Sequence, residues 1–386
     1  MQIPPFLCSP PQPISGSKSN RNWFVVPVSL ISGGLLAFFA IRAIMTPKVV
    51  ADIKALTAFQ ECIAFLSFFV VAWLSILIHE SGHLFGGILS GMKPTLLVAG
   101  PLKVAFKGLR PIFSFNQVLS TWGGLAVAVP ADGKTTRAGL TLMVAGGPSF
   151  SLLAGSGGFA CAFGLAGAPG LIVSLFSLIS LAIGFGTLLP IHSGGFLSDG
   201  AQLLQIWKGS RDVAAKILIG IVLGEDLSGV RPRDWSTAPV LAELENVSDP
   251  MIRVAAHSIL AASASDSGNN DAAVLAFEQF AKTLHEGGLD SYPGPFRGEL
   301  VLPVAIFIAQ NYQDSVLANK WMQLGDKALL EPHLLTYAKA ELAKASGDMD
   351  SAKKYAADAL AIISKYPPSG SACHHREKLE KLSNGC

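Results

Sequence analysis

The chain has 386 residues, of which 50% are apolar and only 15% are charged. Soluble domains average about 25% charged residues, so this composition argues against an ordinary soluble protein and favours an integral membrane protein. The formal net charge of +2 gives no reason to expect a nucleic-acid partner. Apolar and charged residues are separated along the chain: residues 1–207 carry nearly all the long apolar runs, and residues 208–386 carry most of the charge.

Four apolar segments are long enough to cross a membrane as helices, at residues 23–44, 62–89, 138–165 and 171–189. The first follows a Pro- and Ser-rich start and is expected to be an anchor rather than a cleaved signal peptide. We therefore expect a polar N-terminal tail (1–22), a transmembrane core (23–207) and a soluble helical domain (208–386). The predicted fold class is an α-helical polytopic membrane protein with an all-α soluble C-terminal domain.

The loop between the second and third predicted spans is basic and contains two short apolar or alternating runs. It contains six Lys and Arg residues and only one acidic residue, Asp132, so we expect it to lie in the cytoplasm. With four spans, both termini and the C-terminal domain would lie there too. We expect a multi-pass protein of a bacterial cytoplasmic (inner) membrane. Residues 96–106 and 125–129 are broken by Gly and Pro, so a small β or re-entrant insert is predicted there.

The second predicted span contains the sequence His79-Glu80-Ser81-Gly82-His83. Ionisable residues are costly in lipid and persist there mainly where they bind a ligand or do chemistry. Histidines four positions apart lie on one helix face, so both rings can reach one zinc ion, and the Glu beside them can accept a proton from water. This pattern predicts a metal hydrolase site. The alternative is two core histidines and an unrelated Glu.

A zinc site of this kind needs a third protein ligand. The second and fourth spans run in the same direction, so a ligand at the right depth is expected just after the fourth span, where Pro190 interrupts the helix. Asp199 is the candidate, because glycines let the segment turn back and a carboxylate offsets part of the zinc charge. His192 is the competing candidate, since imidazole is also a good zinc ligand.

These motifs resemble the site-2 protease family of intramembrane zinc metalloproteases. The resemblance covers about residues 60–207 and rests on the segment His79–His83, on Gly146-Gly147-Pro148, and on Leu188-Leu189-Pro190 followed by Ser198-Asp199-Gly200. It implies that His79, His83 and Asp199 hold one zinc ion, that Glu80 is the general base, and that the substrate is a transmembrane or membrane-tethered protein.

The chain departs from the family pattern at two amides. Ser151 stands where the family has the Asn of GPxxN, and Thr187 stands where it has the Asn of NxxP. A hydroxyl has a shorter reach than an amide for binding a substrate backbone. The residues that we expect to bind substrate or support the site are Gly147, Pro148, Ser151, Thr187 and His192.

The C-terminal region carries a weak repeat. Residues 268–284 and 347–360 resemble the second helix of a tetratricopeptide unit, with a fainter copy at 310–324, although plain Ala-rich helices explain the pattern equally well. Stacked hairpins would present a concave surface to a cytosolic protein partner. Residues 217–223 are too few to span and predict a buried helix. The five cysteines form no CxxC pair and are expected to be free thiols.

The sequence therefore predicts an intramembrane zinc metalloprotease, with other first-row divalent metals as alternatives to zinc. One other interpretation is a catalytically inert membrane scaffold whose helical repeats bind a partner, which would explain the missing Asn residues but not Glu80. A transporter would also use intramembrane His and Asp, but the chain shows no evident internal repeat of the kind that transporters carry.

Overall fold

The computed structural model describes residues 2–11, 57–107, 110–116, 121–130, 136–165, 167–193, 196–287, 289, 296–325, 328–365 and 369–384. Within them the chain forms thirteen α-helices and a small antiparallel sheet. The predicted span at residues 23–44 lies outside the described residues.

Three long apolar helices form the core of the first half. They are α1 (Ala58–Leu89), α2 (Arg137–Ala162) and α3 (Gly167–Leu188). Each contains a stretch long and apolar enough to cross a membrane, so the second, third and fourth predicted spans are confirmed as candidate membrane helices. The three helices pack against one another. Large apolar side chains such as Phe65, Phe69 and Leu153 point away from the bundle, as expected of a lipid-facing surface.

The crossing of α1 and α2 is unusually close because glycines line it. A Cβ added at Gly82 or at Gly146 would overlap the carbonyl oxygen of the other residue, and one added at Gly86 would overlap the Leu142 carbonyl. Gly82 and Gly86 form a GxxxG pattern, which lets membrane helices approach to backbone contact. The crossing brings the face of α1 that carries His79 and His83 against α2.

The predicted insert forms a four-stranded antiparallel sheet, so of the two predicted alternatives it is the strands that occupy it. The strands are β1 (Met92–Ala99), β2 (Leu102–Lys107), β3 (Arg110–Phe115) and β4 (Leu125–Pro130), in the spatial order β3-β2-β1-β4. The indole N–H of Trp73 on α1 donates to the Ala99 carbonyl at 2.9 Å and ties the β1–β2 turn to the bundle.

The two faces of this sheet pack against different parts of the protein. Leu97 and Val104 contact Leu84 of α1, whereas Leu96 and Val98 contact Leu329 in the C-terminal half. This follows from the alternation of side chains along a strand. The sheet therefore lies between the apolar bundle and the C-terminal helices.

After α3 the chain turns through Pro190 into two short strands and two helices. These are β5 (His192–Ser193), β6 (Phe196–Leu197), α4 (Asp199–Lys208) and α5 (Arg211–Leu227). The predicted short helix at residues 217–223 is confirmed as part of α5, where Ile219 and Val222 are buried.

The regular secondary structure of the described C-terminal half is helical, as predicted. Its helices are α6 (Thr237–Leu244), α7 (Pro250–Asp266), α8 (Asn270–Gly287), α9 (Arg297–Tyr312), α10 (Ser315–Met322), α11 (Leu334–Ala345), α12 (Met349–Ile363) and α13 (Gly370–Asn384). Helix α7 packs on α8, α9 on α10, and α11 on α12. Segments 268–284 and 347–360 each begin at a left-handed glycine and continue as α8 and α12. Kinship with tetratricopeptide repeats stays a prediction.

Residues 2–11 of the predicted polar tail pack against these helices. Leu7 is fully buried in the core formed around α8, α9 and α10. The indole N–H of Trp321 donates to the Leu7 carbonyl at 3.1 Å, and Nε2 of His285 donates to the carbonyls of Phe6 and Ser9 at 3.2 and 3.0 Å. The N-terminal segment therefore lies on the same side of the protein as the C-terminal helices.

Candidate metal centre

Three ligand atoms from two distant parts of the chain meet inside the apolar bundle. The Nε2 atoms of His79 and His83 on α1 are 3.2 Å apart. The carboxylate of Asp199, the first residue of α4, places one oxygen 3.2 Å from Nε2 of His79 and the other 3.4 Å from Nε2 of His83. All three residues are buried. The structure thus assembles the predicted group of candidate metal ligands.

The spacing of these atoms fits a small tetrahedral ion. Zinc binds nitrogen and oxygen at about 2.0–2.1 Å, and a tetrahedron with such bonds has edges of about 3.3–3.4 Å. The 3.2 Å between the two Nε2 atoms and the 3.2 Å from Nε2 of His79 to Oδ2 of Asp199 are close to those edges. The 3.4 Å to Nε2 of His83 is made by the other carboxylate oxygen, Oδ1. The Oδ2 atom of Asp199 is buried and accepts no hydrogen bond, which is costly for a carboxylate unless a cation satisfies it. The residues present therefore fit a divalent metal.

Hydrogen bonds at the far side of each ring orient the two imidazoles. Nδ1 of His83 donates to the Met143 carbonyl at 3.0 Å, which leaves the lone pair on Nε2 facing the site. Nδ1 of His79 lies 2.9 Å from the hydroxyl of Ser151, which can fix the same tautomer. Both partners belong to α2. The predicted supporting residue Ser151 thus contacts a candidate ligand, and its hydroxyl is engaged there.

Gly147 and Pro148 shape the wall of α2 next to these rings. A Cβ added at Gly147 would overlap the imidazole of His83 at Nε2, so only glycine leaves room for the ring. Pro148 is buried inside α2. Proline has no backbone N–H, so the helical hydrogen bond to the carbonyl four residues earlier is missing at this point.

The turn before α4 aims Asp199 at the histidines. Ser198 caps α4: its hydroxyl accepts from the Ala201 N–H and from the Ile191 N–H, and donates to the Leu189 carbonyl. These bonds tie the start of α4 to the end of α3. A Cβ at Gly200 would overlap the Leu188 carbonyl, which explains why glycine follows the aspartate.

Glu80 is buried beside this group and lies against the sheet. A Cβ at Gly124 would overlap the Glu80 carboxylate, and Gly124 has a φ of +112°, a backbone conformation that favours glycine. Gly124 directly precedes β4. The carboxylate therefore packs against the backbone of Gly124 at the beginning of this strand. Glu80 directly follows the candidate ligand His79 in the sequence.

Two other predicted residues have different positions. The hydroxyl of Thr187 donates to the Gly184 carbonyl within its own helix at 3.4 Å. The backbone of His192 lies in β5, paired with Leu197, and its side chain is outside the described part of the structure. The structure places the Asp199 carboxylate next to both imidazoles. That Asp199 rather than His192 is the third ligand stays a prediction.

Several contacts of the site were not predicted from the sequence. The Met143 carbonyl carries no sequence signal, because every residue has one. Gly124 is one glycine among 39, and only the folded sheet brings it to Glu80. The GxxxG pattern of Gly82 and Gly86 is visible in the sequence and indicates a close helix crossing at the motif.

Comparisons with protein-family models, curated proteins and solved structures give no match to this chain.

Proposed function

We propose that the chain is an intramembrane metalloprotease that uses zinc to hydrolyse peptide bonds of transmembrane or membrane-tethered proteins. One observation carries the proposal: one ligand atom from each of two imidazoles and a carboxylate lies within 4.8 Å of the others inside an apolar helix bundle, with Glu80 beside them. A structural metal site needs no free carboxylate next to its ligands, whereas a hydrolytic site needs a proton acceptor there.

His79, His83 and Asp199 would hold the metal, with three protein ligands as in other hydrolytic zinc sites. A bound zinc ion lowers the pKa of a water molecule and polarises a carbonyl group. Glu80 takes one proton from the attacking water as the new C–O bond forms at the peptide carbonyl. It then gives that proton to the departing nitrogen as the C–N bond breaks, so the products are a carboxyl group and an amine.

We propose that the substrate is bound mainly through hydrogen bonds between its backbone and the edge of the sheet, and less through side-chain amides of the enzyme. The hydroxyl of Ser151 is engaged with His79, and that of Thr187 with its own helix, so neither replaces the family amides directly. Strand β4 is an edge strand, and it begins next to Glu80. An extended substrate segment that pairs with this edge would bring its peptide bonds to the carboxylate.

The proposed topology has four crossings, with both termini in the cytoplasm of a bacterial cell. Residues 2–11 lie with the C-terminal helices, and the end of α1 leads into the sheet that packs on Leu329. The start of α1 at Ala58 would then be on the opposite side, so the proposal includes one more crossing before it. The predicted span 23–44 has the required length. The basic residues of the insert assign the sheet side to the cytoplasm.

The C-terminal helices are proposed to bind a cytosolic protein partner. Residues 2–11 already occupy a surface of α8, α9 and α10 with a buried Leu7 and three hydrogen bonds to backbone carbonyls. A surface that holds a peptide segment in this way is suited to peptide recognition. An inert scaffold would use this surface alone, without hydrolysis.

The test of the protease proposal is a cleavage assay with the purified full-length protein in liposomes and a model single-span substrate. We expect a new cleavage product, its loss after chelation of the metal, and its return when zinc is added back. A protein that binds zinc but yields no product from a panel of single-span substrates would favour the scaffold instead.

A further inference from the structure

The C-terminal helices contain a second group of metal-binding side chains. Glu331 lies in the segment before α11, His333 immediately precedes the first residue of α11, and His375 is on α13. Nε2 of His333 lies 2.9 Å from Nδ1 of His375, and Nδ1 of His375 lies 4.0 Å from Oε1 of Glu331. One ligand atom from each residue falls within 4.8 Å of the others.

One oxygen of the carboxylate in this group lacks a hydrogen bond. Oε1 of Glu331 is buried and accepts no hydrogen bond. A direct hydrogen bond between His333 and His375 satisfies one nitrogen of each ring but leaves this oxygen unsatisfied. A buried carboxylate oxygen without a hydrogen bond costs several kcal/mol or takes up a proton. A cation between the three side chains removes that cost.

The surroundings are rich in buried acids. The carboxylates of Asp226 and Glu299 lie near enough to Glu331 for their charges to act on it. Oε2 of Glu299 is also buried without a hydrogen bond. Lys103 donates to the Leu329 carbonyl at 3.0 Å, and its charge interacts with that of Glu299.

Metal binding would replace the hydrogen bond between the two rings. One of the facing nitrogens now donates to the other at 2.9 Å, so this proton must leave before both nitrogens can bind an ion.

We propose that Glu331, His333 and His375 bind a second divalent transition-metal ion of the zinc class, separate from the group of His79, His83 and Asp199. Two imidazoles and one carboxylate form a ligand set that favours such ions over calcium or magnesium, which prefer oxygen ligands.

The proposed ion would connect parts of the fold that are far apart in sequence. Leu329, two residues before Glu331, packs on Leu96 and Val98 of the sheet. His375 belongs to α13, and Asp226 of α5 accepts a hydrogen bond from the Ser371 N–H at the start of that helix at 2.7 Å. The ion would therefore join the start of α11 to α13 at the junction between the sheet and the C-terminal helices.

The test measures metal stoichiometry in full-length protein that carries His79→Ala and His83→Ala, so that the first site is removed and the result is independent of the protease proposal. The protein is freed of metal, loaded with Zn²⁺ and separated from unbound ion. We expect one equivalent of zinc and a rise in the thermal unfolding midpoint. Co²⁺ in place of zinc is expected to give visible absorption bands.

Matched variants in this background decide whether these three residues are the ligands. His375→Ala is expected to lose the equivalent of zinc, and His374→Ala to keep it, because His374 faces Asp266 at 2.7 Å instead. Glu331→Gln keeps the shape of the side chain and is expected to weaken binding by more than the roughly 10- to 100-fold lost with an outer-shell partner.

Two results would overturn the proposal. One is the absence of bound zinc in the His79→Ala, His83→Ala background while its unfolding remains cooperative. The other is equal zinc binding by the His375→Ala and His374→Ala variants.

Discussion

Gly147 of α2 lies directly against the imidazole of His83 on α1, at the point where a Cβ atom would overlap Nε2. The same ring donates from its other nitrogen to the Met143 carbonyl, so it is held between two backbone positions of α2. The close crossing of α1 and α2 therefore determines the orientation of the His83 ring. A change in one alters the other.

We predict that Gly147→Ala removes metal binding. The added methyl group must displace the His83 ring, and the loss of affinity should reach at least the roughly 10- to 100-fold seen when an outer-shell partner is removed. Gly157→Ala on the same helix is the matched control, because nothing lies within 4 Å of its added Cβ. Zinc titration of both purified variants checks this. Equal affinity of the two variants would show that the ring does not need this space.

We predict that Ser151→Ala weakens metal binding by about 10- to 100-fold without abolishing it. The variant removes the hydroxyl that lies 2.9 Å from Nδ1 of His79, so the ring loses its fixed tautomer while its Nε2 atom remains. Ser149→Ala, at an exposed position of α2, is the control. Competition with a chelator of known affinity measures the difference. An unchanged affinity for Ser151→Ala would remove this residue from the site.

We predict that Asp199→Ala loses the metal of the first site, whereas His192→Ala keeps it. The Asp199 carboxylate lies 3.2 and 3.4 Å from the two imidazole nitrogens and holds part of the charge that balances the ion. Metal analysis in a His375→Ala background isolates this site from the proposed second one. The reverse pattern would assign the third ligand to His192.

We predict that cysteine labelling from outside the cell reaches Cys62 but neither Cys8 nor Cys373. Cys62 is exposed near the start of α1, and Cys8 is exposed on the N-terminal segment that packs with the C-terminal helices. Variants with a single cysteine are treated with a membrane-impermeant maleimide, before and after permeabilisation. A reporter fused after Cys386 should likewise report cytoplasm. Labelling of Cys8 or Cys373 in intact cells would reverse the proposed topology.

The sequence predicts the features of this protein that are local. Residues 62–89 are apolar over a length that only a membrane helix needs, and the spacing of His79 and His83 puts both rings on one face of it. The strands of the insert follow from alternation broken at Gly100 and Pro101. Asp199 could be predicted as the third ligand because the second and fourth predicted spans run in the same direction and end at a similar depth.

Other features depend on contacts between distant residues and leave little local pattern. Ser151 reaches His79 only because Gly82 and Gly146 let the helices touch. Glu331 and His375 are brought together by the packing of α13, although 44 positions separate them. Residues 2–11 have the composition of a polar tail. Leu7 is buried beside Trp321 because the apolar core around α8, α9 and α10 accommodates it.

The most direct test of the protease proposal compares the parent protein with Glu80→Gln, using metal content and cleavage of a single-span substrate on the same samples. Glutamine keeps the size of the side chain but cannot accept the proton, so we expect unchanged zinc in the first site and a loss of cleavage of about 100-fold or more. Cleavage by Glu80→Gln at the parent rate would contradict the proposed role of Glu80 and the mechanism built on it.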